Sequence, residues 1–344
     1  MKIGLFDHVE DGGRPLAKLY DERLQFAQAA EEAGVYCLHV AEHHATPLSL
    51  IPVPGVYLGA LARATKTMRI GPLVYLLPVY TPLRLIEEIS MLDHLSHGRL
   101  DVGVGRGVSP HELRFHKVAF DYSREIFVDA FKCINAGLAT DTLTYKSKHF
   151  SYENVPIALR PLQQPLPPFW YASTNTEGAT WAGENGLHFV TLGPVKMAKV
   201  AIDAYRAALA KRGGAAQPKP EFPGGAAIGI SRMIIVAESD AEARRFGKPA
   251  LDRHVAHLTW LRDKLGNTAG LHLPFGVDYD AWLANGTAIA GTPDKVRAEI
   301  ERQTAELGVN YLLSYLFFST MPLADALRSL NLFSTEVMPH LAKL

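Results

Sequence analysis

Glu42-His43-His44 is the densest concentration of proton chemistry in the chain. Imidazole titrates near neutral pH, so a histidine beside a reacting molecule can give or take a proton there. A polar loop that caps the next helix is the plainer use of such residues. Two adjacent histidines behind an acid, at the end of a strand-like run, favour the catalytic use, with His43 and His44 as its candidates. The same side chains could ligate a metal, and Asp7-His8 keeps that alternative open. Adjacent side chains diverge, however, and a metal site needs ligands from further strands. No resident metal is therefore expected.

Two further segments carry binding chemistry. Gly103-Val104-Gly105-Arg106-Gly107 looks like a dinucleotide fingerprint but fails it. The third glycine would fall at Val108, and Ser109-Pro110 opens a helix poorly. Glycines beside one arginine instead give a tight backbone and a guanidinium, Arg106, able to hold a phosphate. Ser173-Thr174-Asn175-Thr176 precedes a helical stretch. Capping explains one or two of these hydroxyl and amide groups. Four in a row at a helix start also suit an anion. Among the aromatic residues near strand ends (Phe6, Tyr75, Tyr80, Trp170 and Tyr171), Phe6, Tyr75 and Trp170 are candidates for lining an apolar substrate pocket.

A scaffold must bring these segments together. Apolar runs at 3–6, 36–41, 68–77, 100–105, 169–173, 187–192, 228–237 and 311–317 read as strands. Amphipathic helical stretches follow nearly all of them. Strand-then-helix units in series predict a parallel sheet. At 344 residues, closure into a (β/α)₈ TIM barrel in one domain, 1–344, is the expected outcome, ahead of an open doubly wound sheet. In such a barrel, residues just past the strands' C-terminal ends face the active site, where the segments above fall. Stretches 140–168, 213–225 and 240–291 exceed the minimal barrel. The last is a long insertion after strand seven and is expected to act as a lid.

Composition narrows the partners. Lys plus Arg is 35 and Asp plus Glu is 35, so no net charge draws the chain to nucleic acid or an anionic membrane. The two cysteines, Cys37 and Cys133, are too few for a disulfide framework. The chain shows no spanning apolar run and no secretory leader pattern, so a cytoplasmic location is expected.

Several of these segments resemble the bacterial luciferase-like flavin monooxygenases. They are Ala41-Glu42-His43-His44, Thr81-Pro82-Leu83-Arg84-Leu85-Ile86-Glu87-Glu88, the run from Met91 to Arg99, Gly103 to Gly107, Arg160 to Pro165, and Ala326 to Phe333. The resemblance implies a (β/α)₈ barrel that uses reduced FMN and O₂ to oxygenate a small organic substrate through a flavin peroxide. The FMN would come from a separate NAD(P)H-dependent flavin reductase, and the protein would be a homodimer. It makes His43 the acid/base beside the flavin and His44 its neighbour, and it gives Arg106 and Ser173–Thr176 to the phosphate. It also places a cis peptide at Leu73-Val74 under the ring. Light-emitting members carry cysteine where this chain has Gly105, so light emission is not expected. Related families on the same barrel transfer hydride with a deazaflavin, which is the alternative chemistry. A metal-dependent hydrolase using Asp7, His8, His43 and His44 is a weaker one.

Overall fold

Strands whose residues are buried on both faces must lie inside a layered structure, which suits short apolar runs covered by helices. A computed structural model describes residues 1–266 and 276–343. Its strands are β1 (Lys2–Asp7), β2 (Cys37–Val40), β3 (Arg69–Pro72), β4 (Tyr75–Leu76), β5 (Val102–Gly105), β6 (Thr142–Lys146), β7 (Ser151–Pro156), β8 (Phe169–Ala172), β9 (His188–Thr191), β10 (Ile228–Val236), β11 (Ala288–Gly291) and β12 (Tyr311–Tyr315). Its principal helices are α1 (Leu16–Glu32), α2 (Pro54–Ala64), α3 (Pro82–Leu95), α4 (Pro110–Phe115), α5 (Ser123–Leu138), α6 (Thr176–Asn185), α7 (Val195–Arg212), α8 (Asp240–Leu265), α9 (Tyr279–Ala284), α10 (Pro293–Leu307) and α11 (Leu323–Leu332).

The main sheet runs β3-β2-β1-β12-β10-β9-β8-β5-β4 with parallel neighbours. β3 and β4 are halves of the strand expected at 68–77. The first half pairs with β2 and the second with β5, and a bridge between Ile70 and Leu100 joins the two edges. The sheet thus comes round on itself as the expected (β/α)₈ barrel. The interruption is the Leu73-Val74 peptide, which is cis.

Close backbone approach explains the glycines at this seam. A Cβ on Gly71 would lie 1.8 Å from the Asp101 carbonyl oxygen, and one on Gly103 would lie 2.3 Å from that of Pro72. No side chain fits either gap.

One apolar layer separates strands from helices, with Ile70, Ile86, Val102, Phe127, Phe169 and Phe189 among its members. A second fills the barrel: Leu73, Trp170, Val190, Phe222, Ala227, Tyr311 and Leu313, with Phe6, Val74 and Ala172 partly buried against it. The strands' N-terminal end is plugged by charge. Asp101 pairs with Arg69 at 2.6 Å and with Lys219 at 3.2 Å. Lys219 and Phe222 belong to the 213–225 connection, so that stretch closes the barrel from below.

The other two long stretches also have structure. The 140–168 segment contains the antiparallel hairpin β6–β7. The 240–291 segment, expected as a lid, contains α8, α9 and β11, which pairs with the far end of β10; its residues 267–275 lie outside the described residues. Ser239 caps α8 by accepting from the Glu242 N–H at 3.2 Å. Phe246, Ala250, Leu251, His254, Val255 and Leu261 form its buried stripe at helical spacing. Among the described residues no helix is long and apolar enough to cross a membrane.

Candidate active site

The turn after β2 places Glu42, His43 and His44 at the strands' C-terminal end, as expected, but they do not converge on one point. Glu42 is buried and serves as a brace. It accepts from the Leu76 N–H at 3.0 Å, from the Tyr80 hydroxyl at 3.0 Å and from His44 Nε2 at 2.8 Å. His44 is therefore committed to Glu42, with its ring edge-on to His116 at 4.3 Å.

His43 is the free one of the pair. Its Nδ1 donates to Glu112 of α4 at 3.2 Å, and Glu112 also accepts from the His44 N–H at 2.9 Å. Nε2 of His43 has no hydrogen-bond partner among the described residues. Burial disfavours a charged ring here. The adjacent Glu112 carboxylate, its hydrogen bond and the fields of Glu42 and Glu10 outweigh that, so His43 titrates above the ordinary imidazole value. Glu112 is held below the ordinary carboxylate value: burial would raise it, but His43 prevails. Sequence reasoning missed Glu112, which stands 69 residues from His43 with nothing local to mark it.

His8, just past β1, stacks on His43 with ring centroids 5.4 Å apart and an interplanar angle of 22°. Burial, then the charges of His43 and His254, push it well below the ordinary imidazole value. Its Nδ1 is buried without a partner among the described residues. Two stacked imidazoles driven in opposite directions are how one site keeps a proton donor and a neutral ring together.

The acids beside these histidines are engaged in ion pairs and hydrogen bonds. Asp7 is taken by Arg23 at 3.1 Å, and that arginine also donates to the Phe317 carbonyl. Asp7, His8, His43 and His44 thus do not form a ligand set. His8, Glu10 and His254 have ligand atoms within 4.8 Å of one another. Glu10 is already satisfied by His254 and by the Tyr315 hydroxyl, at 2.8 and 2.6 Å, which is hydrogen-bond spacing.

Beside the imidazoles lies an apolar floor. Phe6, Val74 and Ala172 cap the barrel-filling cluster and are only partly buried. Phe6 meets His8 edge-on at 4.8 Å. A Cβ on Gly105 would come within 2.3 Å of Val74 Cγ2, so the absence of a side chain there leaves Val74 its place.

The other candidate aromatics sit elsewhere. Tyr75 is fully buried toward α3, its hydroxyl donating to Glu88 at 2.8 Å. Trp170 is fully buried inside the barrel, packed against His39, His188 and Tyr311. Of the three expected pocket residues, the structure brings Phe6 alone to the mouth. Period-two alternation tells inward from outward but not depth along the barrel axis.

The segment after β5 is cationic. Arg106 follows β5, packs over the Phe120 ring at 4.8 Å and has no carboxylate partner among the described residues. Its charge and that of Arg124 both act on the Tyr171 phenol of β8. Arg124, unnoticed in the sequence, pairs with Glu177 in the first turn of α6 at 3.3 Å.

The Ser173–Thr176 turn is divided in use. Asn175 caps α6 by accepting from the Gly178 N–H at 2.8 Å, and Ser173 bonds within the turn. No hydrogen bond engages the Thr174 or Thr176 hydroxyl among the described residues.

An apolar floor with a histidine pair against Phe6, and an uncommitted arginine and a helix N-terminus after the adjacent strands β5 and β8, suits a flat molecule with an anionic tail. Comparison with known proteins agrees on the class. A family model described as luciferase-like monooxygenase matches residues 1–311. An uncharacterised protein of Sinorhizobium fredii (strain NBRC 101917 / NGR234), y4wF, is 34% identical over 98% of this chain and 96% of its own. The 2,5-diketocamphane 1,2-monooxygenase 1 of Pseudomonas putida is 26% identical over 90% of each chain. Among solved structures, the monooxygenase RslO1 from Streptomyces bottropensis superposes with a TM-score of 0.87 at 25% identity, covering 99% of both chains. The fold is also that of a coenzyme F420 dependent tetrahydromethanopterin reductase from Methanopyrus kandleri, with a TM-score of 0.76 at 17% identity over 99% of each chain. Family model, relatives and fold converge: the chain belongs to the luciferase-like monooxygenases.

Proposed function

We propose that this protein is the oxygenase component of a two-component flavin monooxygenase. It would take reduced FMN from a separate NAD(P)H-dependent flavin reductase and use O₂ to oxygenate a small, apolar organic substrate. One arrangement carries the reading: a partly exposed floor of Phe6, Val74 and Ala172, with Phe6 against the His8–His43 pair and the uncommitted Arg106 following Gly105, which abuts Val74. Monooxygenase relatives support the oxygen chemistry, and Glu42-His43-His44 favours FMN over a deazaflavin.

The residues present fit FMN. Arg106, the free hydroxyls of Thr174 and Thr176, and the α6 N-terminus would hold its phosphate. Leu73 and Val74 would lie on the ring's side of the site. Bound reduced FMN supplies the oxygen-activating chemistry. The chain's own task is narrower. Glu112 fixes the His43 ring by accepting from Nδ1, which leaves Nε2 to hand a proton into the mouth. His8, kept neutral, can accept one. The apolar floor orients a flat ring and excludes water from it.

A homodimer accords with the surface of α2 and α3, where Val56 is 76% exposed and Met91 54%. Sedimentation of wild type against Val56→Glu tests it, with a shift to monomer expected.

The function itself is tested by oxygen uptake with enzymatically reduced FMN and a panel of ketones, aldehydes and alkenes. The reading expects substrate-dependent oxygenated product. Binding of a deazaflavin, with no FMN binding, would replace it by hydride transfer.

A further inference from the structure

Behind His8 lies a set of ionisable groups that the proposed chemistry leaves unused. Glu10 is completely buried. Its Oε1 accepts from the Tyr315 hydroxyl at 2.6 Å and from His254 Nδ1 at 2.8 Å, and its Oε2 from His257 Nδ1 at 2.9 Å. An ionised carboxylate only accepts, so both imidazoles carry hydrogen on Nδ1. Its partners come from β12 and α8, so one side chain ties the segment after β1 to both.

The rings continue the line. His254 lies 5.5 Å from His8, centroid to centroid, and His8 lies 5.4 Å from His43. Carboxylates and imidazoles therefore run in sequence from Glu112 on α4, through His43, His8, His254 and Glu10, to His257 on α8. The two helices also touch directly, His111 Nε2 donating to the Gly266 carbonyl at 2.7 Å.

We propose that Glu10 is a positioning residue for the His8–His43 pair: it clamps α8 at the barrel mouth and sets how tightly His43 holds its proton. The proposal rests on His43 being the proton-handling group of the site.

The charges around the pair favour it. Glu10 is faced by His254 and His257 from α8, Tyr315 from β12, and Asp7 and His8 from its own segment, while Arg23 from α1 acts on Asp7, His8 and Tyr315. His43 is faced by Glu112 from α4, by Glu42 and by His8. Glu10 bears on both rings of the pair and favours the charged form of each. A brace that only held α8 could be apolar. Burying an anion at this point is costly and makes sense where its field is used.

The test is the titration of histidine ring resonances in the full-length protein without cofactor, with His43 assigned by its loss in His43→Gln. Glu10→Gln keeps the shape and removes the charge. It should lower the His43 midpoint by roughly half to one pH unit and speed amide exchange along α8. Glu10→Asp keeps the charge but shortens the reach. It should leave the midpoint near wild type while α8 still exchanges faster. Should Glu10→Gln fail to fold, the combined variant Glu10→Met, Tyr315→Phe, His254→Leu, His257→Leu replaces the ion and all its partners by apolar groups, the form that folds tolerate, and it should show the same downward shift.

An unmoved midpoint in the folded charge-free variant would overturn the proposal and leave Glu10 a brace. The readout needs no flavin. A shifted midpoint without FMN binding would sink the oxygenase reading alone, and FMN binding with an unmoved midpoint would sink this one alone.

Discussion

His43 and His8 share nearly the same surroundings yet are driven apart, because only His43 has a carboxylate at hydrogen-bond distance. A raised imidazole stays charged above its ordinary midpoint and loses its proton as pH climbs through the raised value. A rate that needs protonated His43 should therefore persist above the ordinary imidazole midpoint and fall as pH climbs further. Glu112→Gln should move that fall to lower pH, which a pH–rate profile will show. His43→Ala should cut coupled product formation by roughly 10²- to 10⁴-fold, the range for a lost acid or base, with FMN affinity nearly unchanged. Equal losses in both would count against the role. Arg106→Ala should do the reverse. Loss of hydrogen bonds to a charged phosphate should weaken FMN about 10- to 100-fold, read by fluorescence titration, with turnover at saturating FMN largely retained.

At the scale of elements, the seam between β3/β4 and β5 decides the shape of the site. Gly105→Ala would put a methyl 2.3 Å from Val74 Cγ2. Overpacking of that kind costs about 1–3 kcal/mol, and here it would also tilt the floor. The expected outcome is a lower melting temperature together with weaker FMN binding. A stability loss alone would place Val74 outside the site.

The eight barrel strands were legible in the sequence because each is a short apolar run and nearly all are followed by a helical stretch with clear ends, as with Pro82 opening α3; the helix after strand seven was read only as part of a long excursion. The segment Glu42-His43-His44 was legible because its residue types are rare together and it ends a strand. The break in β3/β4 leaves no mark on apolar periodicity; it was expected only from resemblance. Glu112, Glu10 and His254 could not be found because their meaning lies in partners far along the chain. Each looks like an ordinary surface residue of a helix or loop until the barrel closes. Trp170 and Tyr75 were misplaced for a related reason: closeness to a strand end does not say whether a ring points to the mouth, the interior or a helix.

The whole molecule separates stability from chemistry along the barrel axis. Its lower end is held by buried ions and its upper end holds the candidate site. Burial works against ionisation of Asp101, but Lys219 and Arg69 outweigh it and keep its carboxyl well below the ordinary range. That stabilisation is present above the unfolded value near pH 4 and is lost as pH falls through the folded one. Asp101→Asn leaves Lys219 and Arg69 without their shared partner and should destabilise by about 3–5 kcal/mol, measured by denaturant unfolding at pH 7. FMN affinity of the folded fraction should not change.

The most direct test of the whole account compares FMN with riboflavin, which has the same ring and no phosphate, in equilibrium titrations of wild type and Arg106→Ala. Wild type should bind FMN at least about tenfold more tightly, a difference of roughly 1.4 kcal/mol, and the preference should disappear in Arg106→Ala. Equal binding of the two compounds by wild type, or a preference that survives loss of Arg106, would contradict this reading of the site.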